Sequence, residues 1–457
     1  MQDNKPVPQP DLTGKRDQFR SRIGFVLAAV GSTLGMGDIW LFPFRVGQFG
    51  GAAFLIPYFL FVAFIGYIGI VEETAFGRGM KAGPLGAFAG AMAQAKKNPI
   101  IGKILGWIPV IGSFGIAVGY TIVVGWILRY TVGSITGALM TNEVGPYFGQ
   151  IVGNYGSLVW HVIAILITIA ILIAGVSRGI EVVNKIMVPM IYVLFIIFGI
   201  RIFTVPGSLE GLKFLYTPDF SKLAQPNTWV FALGQAFFSL SLAGSGTVIY
   251  GSYLSDKEDV RKSAKQIAVM DTLASVMATL LIIPAAFAYG KDPGAGPGLL
   301  FITMPEVLQA MPLGRVFSIL FFVAVTFAGI TSLINLFETP VDVAKEQFKL
   351  PRWLAVVLVC VAAFIIGLPF ENGDNLGLLM DIVSIYIVPA GALLAAVMFF
   401  WACNKQWVLD EVNKGVLERK AGDGFYKYGK YVFVGVTVLV FLINLYYVLV
   451  LKQGAIG

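Results

Sequence analysis

Long apolar runs divide this chain of 457 residues, and they constrain it more than anything else in the sequence. A helix rises 1.5 Å per residue, so about 20 consecutive apolar residues cross the hydrocarbon of a bilayer. Eleven spans are expected, at 23–47, 51–72, 104–133, 157–176, 184–204, 228–253, 266–290, 314–344, 353–369, 377–402 and 430–451. Hydrophobic residues make up 57% and charged residues 13%, against about 25% charged in soluble domains. The expectation is an all-α polytopic membrane protein. No short apolar run with a small-residue cleavage site opens the chain, so no signal peptide is expected. Cys360 and Cys403 lie in or beside apolar runs and suggest neither a disulfide framework nor a metal centre. The single histidine, His161, opens the fourth span and reads as an interfacial residue rather than a ligand.

The formal net charge is +7, but its distribution argues against a nucleic-acid partner. Eleven spans make the loops alternate sides, and 25 of the 33 Lys and Arg residues fall on the side of the N-terminus. Positive charge stays cytoplasmic. The N-terminus is therefore expected inside and the short C-terminal tail outside, with membrane lipid as the surround. The loops 134–156, 205–227 and 291–313 fall outside, and 403–429 is a large inside loop.

Two spans carry their own interruption. The first contains "GSTLGMGDIWLFPF", Gly31 to Phe44, where three glycines are followed by Asp38. The sixth reads "ALGQAFFSLSLAGSGTVIYGSYL", Ala232 to Leu254, broken at Leu242-Ala243-Gly244-Ser245-Gly246. Small residues in membrane helices often serve close packing alone. Broken segments in corresponding positions of two halves point instead to a transport site. Unwound backbone survives at membrane depth only inside protein or around a cavity. There the freed N–H groups can hold an anion and the freed carbonyls a cation.

The run "RIGFVLAAVGSTLGMGDIWLFPF", followed by "GGAAFLIPY" (Gly50 to Tyr58), resembles the opening of the neurotransmitter:sodium symporter family. "GQAFFSLSL" in the sixth span and "AGITSL" (Ala328 to Leu333) in the eighth match the same family in order and spacing. The resemblance extends from about Arg16 to the end, and the eleven-span form resembles bacterial members. It implies a LeuT-type fold of about 11 transmembrane helices, in two inverted five-helix repeats with helices 1 and 6 unwound at mid-membrane. The chain then divides into an inside tail (1–21), the first repeat (22–204), an outside loop (205–227) and the second repeat (228–402). An inside loop (403–429) and an eleventh helix with its tail (430–457) complete it. The implied function is sodium-coupled import of an amino acid by alternating access across the cytoplasmic membrane of a prokaryote, as a monomer or weak dimer. The alternative is a sodium- or proton-coupled carrier of another amine or a zwitterionic osmolyte. A membrane-embedded enzyme finds no metal motif, nucleophile elbow or phosphate loop here. A Gly-broken central site also suits a gated pocket better than a continuous channel filter.

Carried over residue by residue, the resemblance implies two sodium sites. Site one takes Thr33, Asp38, Ser239 and Asp271. Site two takes the carbonyls of Gly31, Leu34 and Ala328 with the hydroxyls of Thr331 and Ser332. The amides of Met36 and Gly37 and the Tyr120 hydroxyl are expected to hold a substrate carboxylate. The carbonyls of Thr33, Phe238 and Ser239, with the Ser241 hydroxyl, are expected to hold an amine. Met36, Ile116, Phe238, Gly244, Ser332 and Leu336 are the expected apolar lining, and Gly244 is expected to leave room there. Gly35 replaces the aspartate of the family's monoamine transporters.

Tyr58, Gln235, Ser239 and Ser275 match the chloride ligands of chloride-dependent relatives. Asp271 stands where asparagine is usual, and its fixed charge implies transport without chloride. Arg16 and Glu346 match the inner gate. At the outer gate Leu41 replaces an arginine; Arg45 lies one turn further on, on the same face, and Asp381 is its expected partner. Asp38 also replaces a usual asparagine. Asp38, Asp271 and an amino acid would bring three carboxylates to one sodium. Either one aspartate carries a proton, the favoured expectation, or the substrate lacks a carboxylate, or a second cation enters.

Overall fold

The computed structural model describes residues 17–450 apart from 36, 154, 295, 297, 418 and 419. Eight helices among them are long and apolar enough to cross a membrane: Ala52–Met80, Pro99–Thr136, Val176–Ile202, Val260–Ala288, Gly314–Phe348, Arg352–Phe370, Gly373–Ala402 and Asp423–Tyr447. The first span is a pair of helices, Arg22–Thr33 and Gly37–Gln48, bent by 55°. Two more elements stand where the sequence places spans four and six. These are Leu158–Ile173 and the broken pair Pro226–Ser239 and Gly246–Ser252. The architecture is the expected all-α membrane fold with helices one and six interrupted at mid-length.

The helices start at capping residues. The Ser21 hydroxyl accepts from the Gly24 amide at 3.0 Å, and the Asn98 side chain accepts from the Ile100 amide at 3.0 Å ahead of Pro99. Asp259 caps span seven by accepting from the Lys262 amide at 3.0 Å. Several helices outrun the apolar runs that predict them. Span two continues past 72 to Met80, because Glu73 and Arg78 are buried with partners rather than left facing lipid. Arg78 Nε pairs with Glu411 Oε1 at 2.5 Å and Nη1 donates to the Glu258 carbonyl at 2.5 Å. Span five starts at Val176 rather than 184 for the same reason: Glu181 and Asn184 are buried inside the bundle.

The first half of span one lies against spans five, seven and eight, and span three packs along span eight. The second half of span six lies on span two at a contact made by glycine. A Cβ at Gly77 would lie 1.8 Å from the Val248 carbonyl oxygen, and one at Gly251 2.4 Å from that of Thr74. Span four closes on span three in the same way, and His161 is fully buried rather than interfacial. A Cβ at Gly125 would lie 2.8 Å from the His161 backbone nitrogen. The His161 Nδ1 lies 2.6 Å from Glu371 Oε1, and Ser157 donates to Glu371 Oε2 at 2.5 Å.

Candidate substrate and ion site

Both helix breaks are built from local backbone chemistry. In span one Leu34 N–H donates to the Val30 carbonyl at 2.7 Å, and Gly35 N–H turns back to the Thr33 carbonyl at 2.8 Å. The helix resumes with Asp38 N–H on the Gly35 carbonyl at 3.1 Å. In span six Ser241 has φ 52° and Gly244 φ 69°. A left-handed serine costs roughly 1–2 kcal/mol, which the surrounding contacts must offset. Gly244 is required twice: by its φ, and because a Cβ there would lie 2.5 Å from the Gly391 carbonyl oxygen. Its amide donates to Glu73 Oε1 at 2.7 Å, so a carboxylate from span two holds the break open. Sequence reasoning missed Glu73, although the Glu72–Glu73 pair closing an apolar run was signal enough.

Between the breaks lies a cavity. Thr33, Gly37, Ile116, Tyr120, Phe238, Ser241, Ser332 and Leu336, all expected substrate contacts, line it. Ser239 lies behind it among carboxylates, and Gly244 faces span ten instead of widening it. Met36 is outside the described residues. Ser113, Asn335 and Val388 also line the cavity and were not anticipated. A Cβ at Gly35 would lie 2.6 Å from both the Tyr120 and the Ser332 hydroxyl oxygens. Any side chain there would displace the two hydroxyls that face the cavity. A Cβ at Gly37 would meet the Phe238 ring at 2.6 Å, so that ring lies directly on the first break.

On one side of the cavity the structure gathers Asp38, Asp271, Ser239, Ser275, Tyr58 and Gln235, all fully buried. Asp38 Oδ1 accepts a short hydrogen bond from Ser239 and another from Ser275 at 2.8 Å. The Ser239 oxygen also lies 2.9 Å from Asp271 Oδ2 and 3.1 Å from the Tyr58 hydroxyl. Gln235 Nε2 donates to the Gly37 carbonyl at 3.3 Å. Ser239 has one proton for two carboxylates. It can donate to only one of them at a time, so its contact with the other lacks a proton from Ser239. Asp38 Oδ2 and Asp271 Oδ1 have no hydrogen-bond partner among the described residues, which leaves one hard oxygen on each for an ion.

On the other side, Thr331 donates to the Ala328 carbonyl at 3.1 Å. Ser332 lies 3.2 Å from the Gly31 carbonyl oxygen and 3.1 Å from that of Ser32. Neutral oxygens of spans one and eight thus converge beside the first break.

The chain matches the model of the sodium:neurotransmitter symporter family over residues 16–148 and 145–455. The chain belongs to that family. It is 34% identical over 450 residues to YhdH, a sodium-dependent transporter of Bacillus subtilis, covering 93% of this chain and 94% of the relative. It is 32% identical to the sodium-dependent transporter MJ1319 of Methanocaldococcus jannaschii, covering 88% and 85%. A more distant relative is the sodium-dependent neutral amino acid transporter B(0)AT3 of mouse, at 26% identity over 79% and 73% of the two chains. The structure superposes on the crystal structure of MhsT in complex with L-phenylalanine with a TM-score of 0.84. The two chains are 32% identical over 94% of this one and 100% of MhsT. The protein is thus a sodium-dependent secondary transporter with a small-molecule substrate, not an enzyme.

In this symporter the two ends of the cavity differ. On the face of the N-terminal residues, Phe19 stacks edge-on against Phe25, Tyr250 and Tyr253. The Tyr253 hydroxyl donates to Glu338 Oε1 at 2.7 Å, and Arg352 pairs with Glu338 at 2.7 Å and with Asp17 at 3.5 Å. Sequence reasoning missed Asp17, Glu338 and Arg352, which join in this ion-pair network. Of the expected inner-gate pair, Arg16 is outside the described residues and Glu346 lies near the end of span eight. On the opposite face the Arg45 guanidinium sits 4.4 Å from the Phe231 ring centroid and donates to Gln48 at 3.2 Å. Asp381 is exposed, and among the described residues no ion pair joins it to Arg45.

Proposed function

We propose that this symporter imports a neutral amino acid with sodium by alternating access, across the cytoplasmic membrane of a prokaryote with the N-terminus inside. The observation that carries the reading is Gly35. With Tyr120 and Ser332 crowding that position, the site has no room for the carboxylate a substrate lacking its own would need. The Tyr120 hydroxyl and the Gly37 amide then hold the substrate carboxylate. The carbonyls of Thr33 and Phe238 and the Ser241 hydroxyl hold its ammonium, with Ile116, Phe238 and Leu336 around its side chain. The bound L-phenylalanine of MhsT supports the same class of substrate.

Two sodium ions belong to the reading. One uses the free oxygens of Asp38 and Asp271, the other the oxygens around Thr331 and Ser332. Chloride is not required, because the hydroxyls of Ser239 and Ser275 already face the Asp38 carboxylate. Arg45, stacked on Phe231, is the cation of the outer gate. The two buried aspartates favour one second reading: a betaine or amine, which adds no carboxylate to the cluster or offsets it with a fixed cation.

Thermal stabilisation of the purified protein in sodium and in potassium, across neutral amino acids, biogenic amines and betaines, tests both. Stabilisation by neutral amino acids in sodium alone is expected. Stabilisation by a betaine or amine and by no amino acid would replace the first reading with the second.

A further inference from the structure

Spans one and five meet along two glycines, each facing a polar residue of span five. A Cβ at Gly24 would lie 2.1 Å from Glu181 Oε1, and one at Gly31 1.9 Å from Asn184 Oδ1. The two polar residues differ in one respect. Glu181 is satisfied: it accepts from the Arg20 amide at 2.7 Å, the Ser21 hydroxyl at 3.0 Å and Lys185 at 2.6 Å. Asn184 is fully buried, and its Oδ1 has no hydrogen-bond partner among the described residues. Its amide is not free to turn, because Nδ2 donates to the Ile180 carbonyl at 2.8 Å. The oxygen is therefore held beside Gly31. The same point lies 3.0 Å from Thr331 Cβ, so the oxygen sits where spans one, five and eight come together.

A buried amide oxygen left without a donor keeps its full desolvation cost, so a ligand is its natural complement. The oxygens nearest in kind are those around Thr331 and Ser332, and sodium takes hard oxygens. We infer that Asn184 contributes its amide oxygen to the sodium ion held between spans one and eight. The inference rests on the proposed role of Thr331 and Ser332 as ligands of that ion. Its consequence is mechanical. The ion joins three elements instead of two, and its departure releases span five from span one at the first break. A packing role is the competing explanation, with Oδ1 receiving only a weak Cα–H contact from Gly31. Such a contact stabilises the protein equally with and without sodium.

The test titrates sodium against choline at constant ionic strength and reads the melting temperature of the purified full chain, with no substrate present. Three variants are compared: Asn184→Ala, Asn184→Asp and Thr331→Ala. Asn184→Ala is expected to raise the half-saturating sodium concentration about fivefold to tenfold. Asn184→Asp keeps the shape, adds a charge and is expected to lower it several-fold. That variant also keeps the question open to measurement if the alanine variant does not fold. Equal melting shifts in sodium and in choline, with half-saturation unchanged in both Asn184 variants, would overturn the inference while Thr331→Ala still weakened the sodium response. An unchanged response in Thr331→Ala would remove the underlying site, and the role of Asn184 with it.

Discussion

Two buried clusters flank the first helix break, and they solve the same problem with opposite chemistry. The one around Thr331 and Ser332 is neutral, and its hydroxyls find carbonyl partners within the protein. The one around Asp38 and Asp271 holds two carboxylates that share the Ser239 hydroxyl, with Ser275 donating to Asp38 alone, and leaves an oxygen unpartnered on each. A neutral cluster can stand without a cation, because its hydroxyls turn to the carbonyls when the ion leaves. A charged one cannot: two like charges in a dry interior need a counter-charge, whether proton or sodium. Strong ion dependence and pH dependence are therefore expected of the charged cluster. Reversible opening is expected of the neutral one.

The largest effect should follow from removing the charge. Asp271→Ala deletes one of two carboxylates facing the proposed ion. A charge-assisted contact is worth about 1.5–3 kcal/mol, so the half-saturating sodium concentration for substrate binding should rise roughly a hundredfold. Ser332→Ala should cost about tenfold in the same sodium titration of radiolabelled substrate binding, because a neutral hydroxyl contributes about 0.5–1.5 kcal/mol. A Ser332→Ala effect equal to that of Asp271→Ala would erase the difference between the clusters.

Much of this contrast was legible in the sequence. Glycine clusters mark both breaks, and the hydroxyl pair at 331–332 and Asp38 stand in plain motifs, while Asp271 is placed by the family resemblance alone. What could not be read is which groups meet across the bundle. Glu73 reaches the Gly244 amide across 171 residues, and the Asn184 oxygen meets Gly31 only because spans one and five pack by glycine. The limits of the spans were misjudged where charges are buried. Glu73, Arg78, Glu181 and Asn184 end an apolar run but not a helix, since packing supplies partners that lipid would not. Likewise His161 looked interfacial until Glu371, 210 residues away, came to its side.

A smaller and more discriminating effect concerns the proton. With one proton shared in the charged cluster during transport, sodium-driven uptake should fall as the pH rises and that proton is lost. Asp38→Asn replaces the carboxylate that accepts both serine hydroxyls with a permanently neutral amide. Its uptake should vary less with pH, and its sodium affinity should suffer less than that of Asp271→Ala. Uptake measured in proteoliposomes across pH at fixed sodium separates the cases. A profile in Asp38→Asn that still falls as steeply would place the proton elsewhere. A wild-type profile that rises with pH would mean that sodium and the proton compete for the cluster instead of occupying it together.

The smallest effect, and the sharpest on the origin of the negative charge, should come from chloride. Tyr58, Gln235, Ser239 and Ser275 would suit an anion, and all four are gathered in the cluster. Yet Ser239 and Ser275 both face Asp38 Oδ1, and Ser239 also lies within hydrogen-bond distance of Asp271. A chloride ion there would meet two carboxylates and hydroxyls already engaged, so binding it would add repulsion without gaining donors. Replacing chloride with gluconate at constant sodium should therefore leave uptake unchanged. The asymmetry should appear on removing the charge: Asp271→Asn leaves Asp38 as the one fixed charge, and chloride should still have little influence. The double variant Asp38→Asn, Asp271→Asn frees the hydroxyls and removes the repulsion. Chloride should then raise whatever sodium-dependent binding survives. A wild-type protein that loses uptake in gluconate would show that the carboxylates do not stand in for the anion. The contrast between a charged and a neutral cluster would then need chloride as a third component.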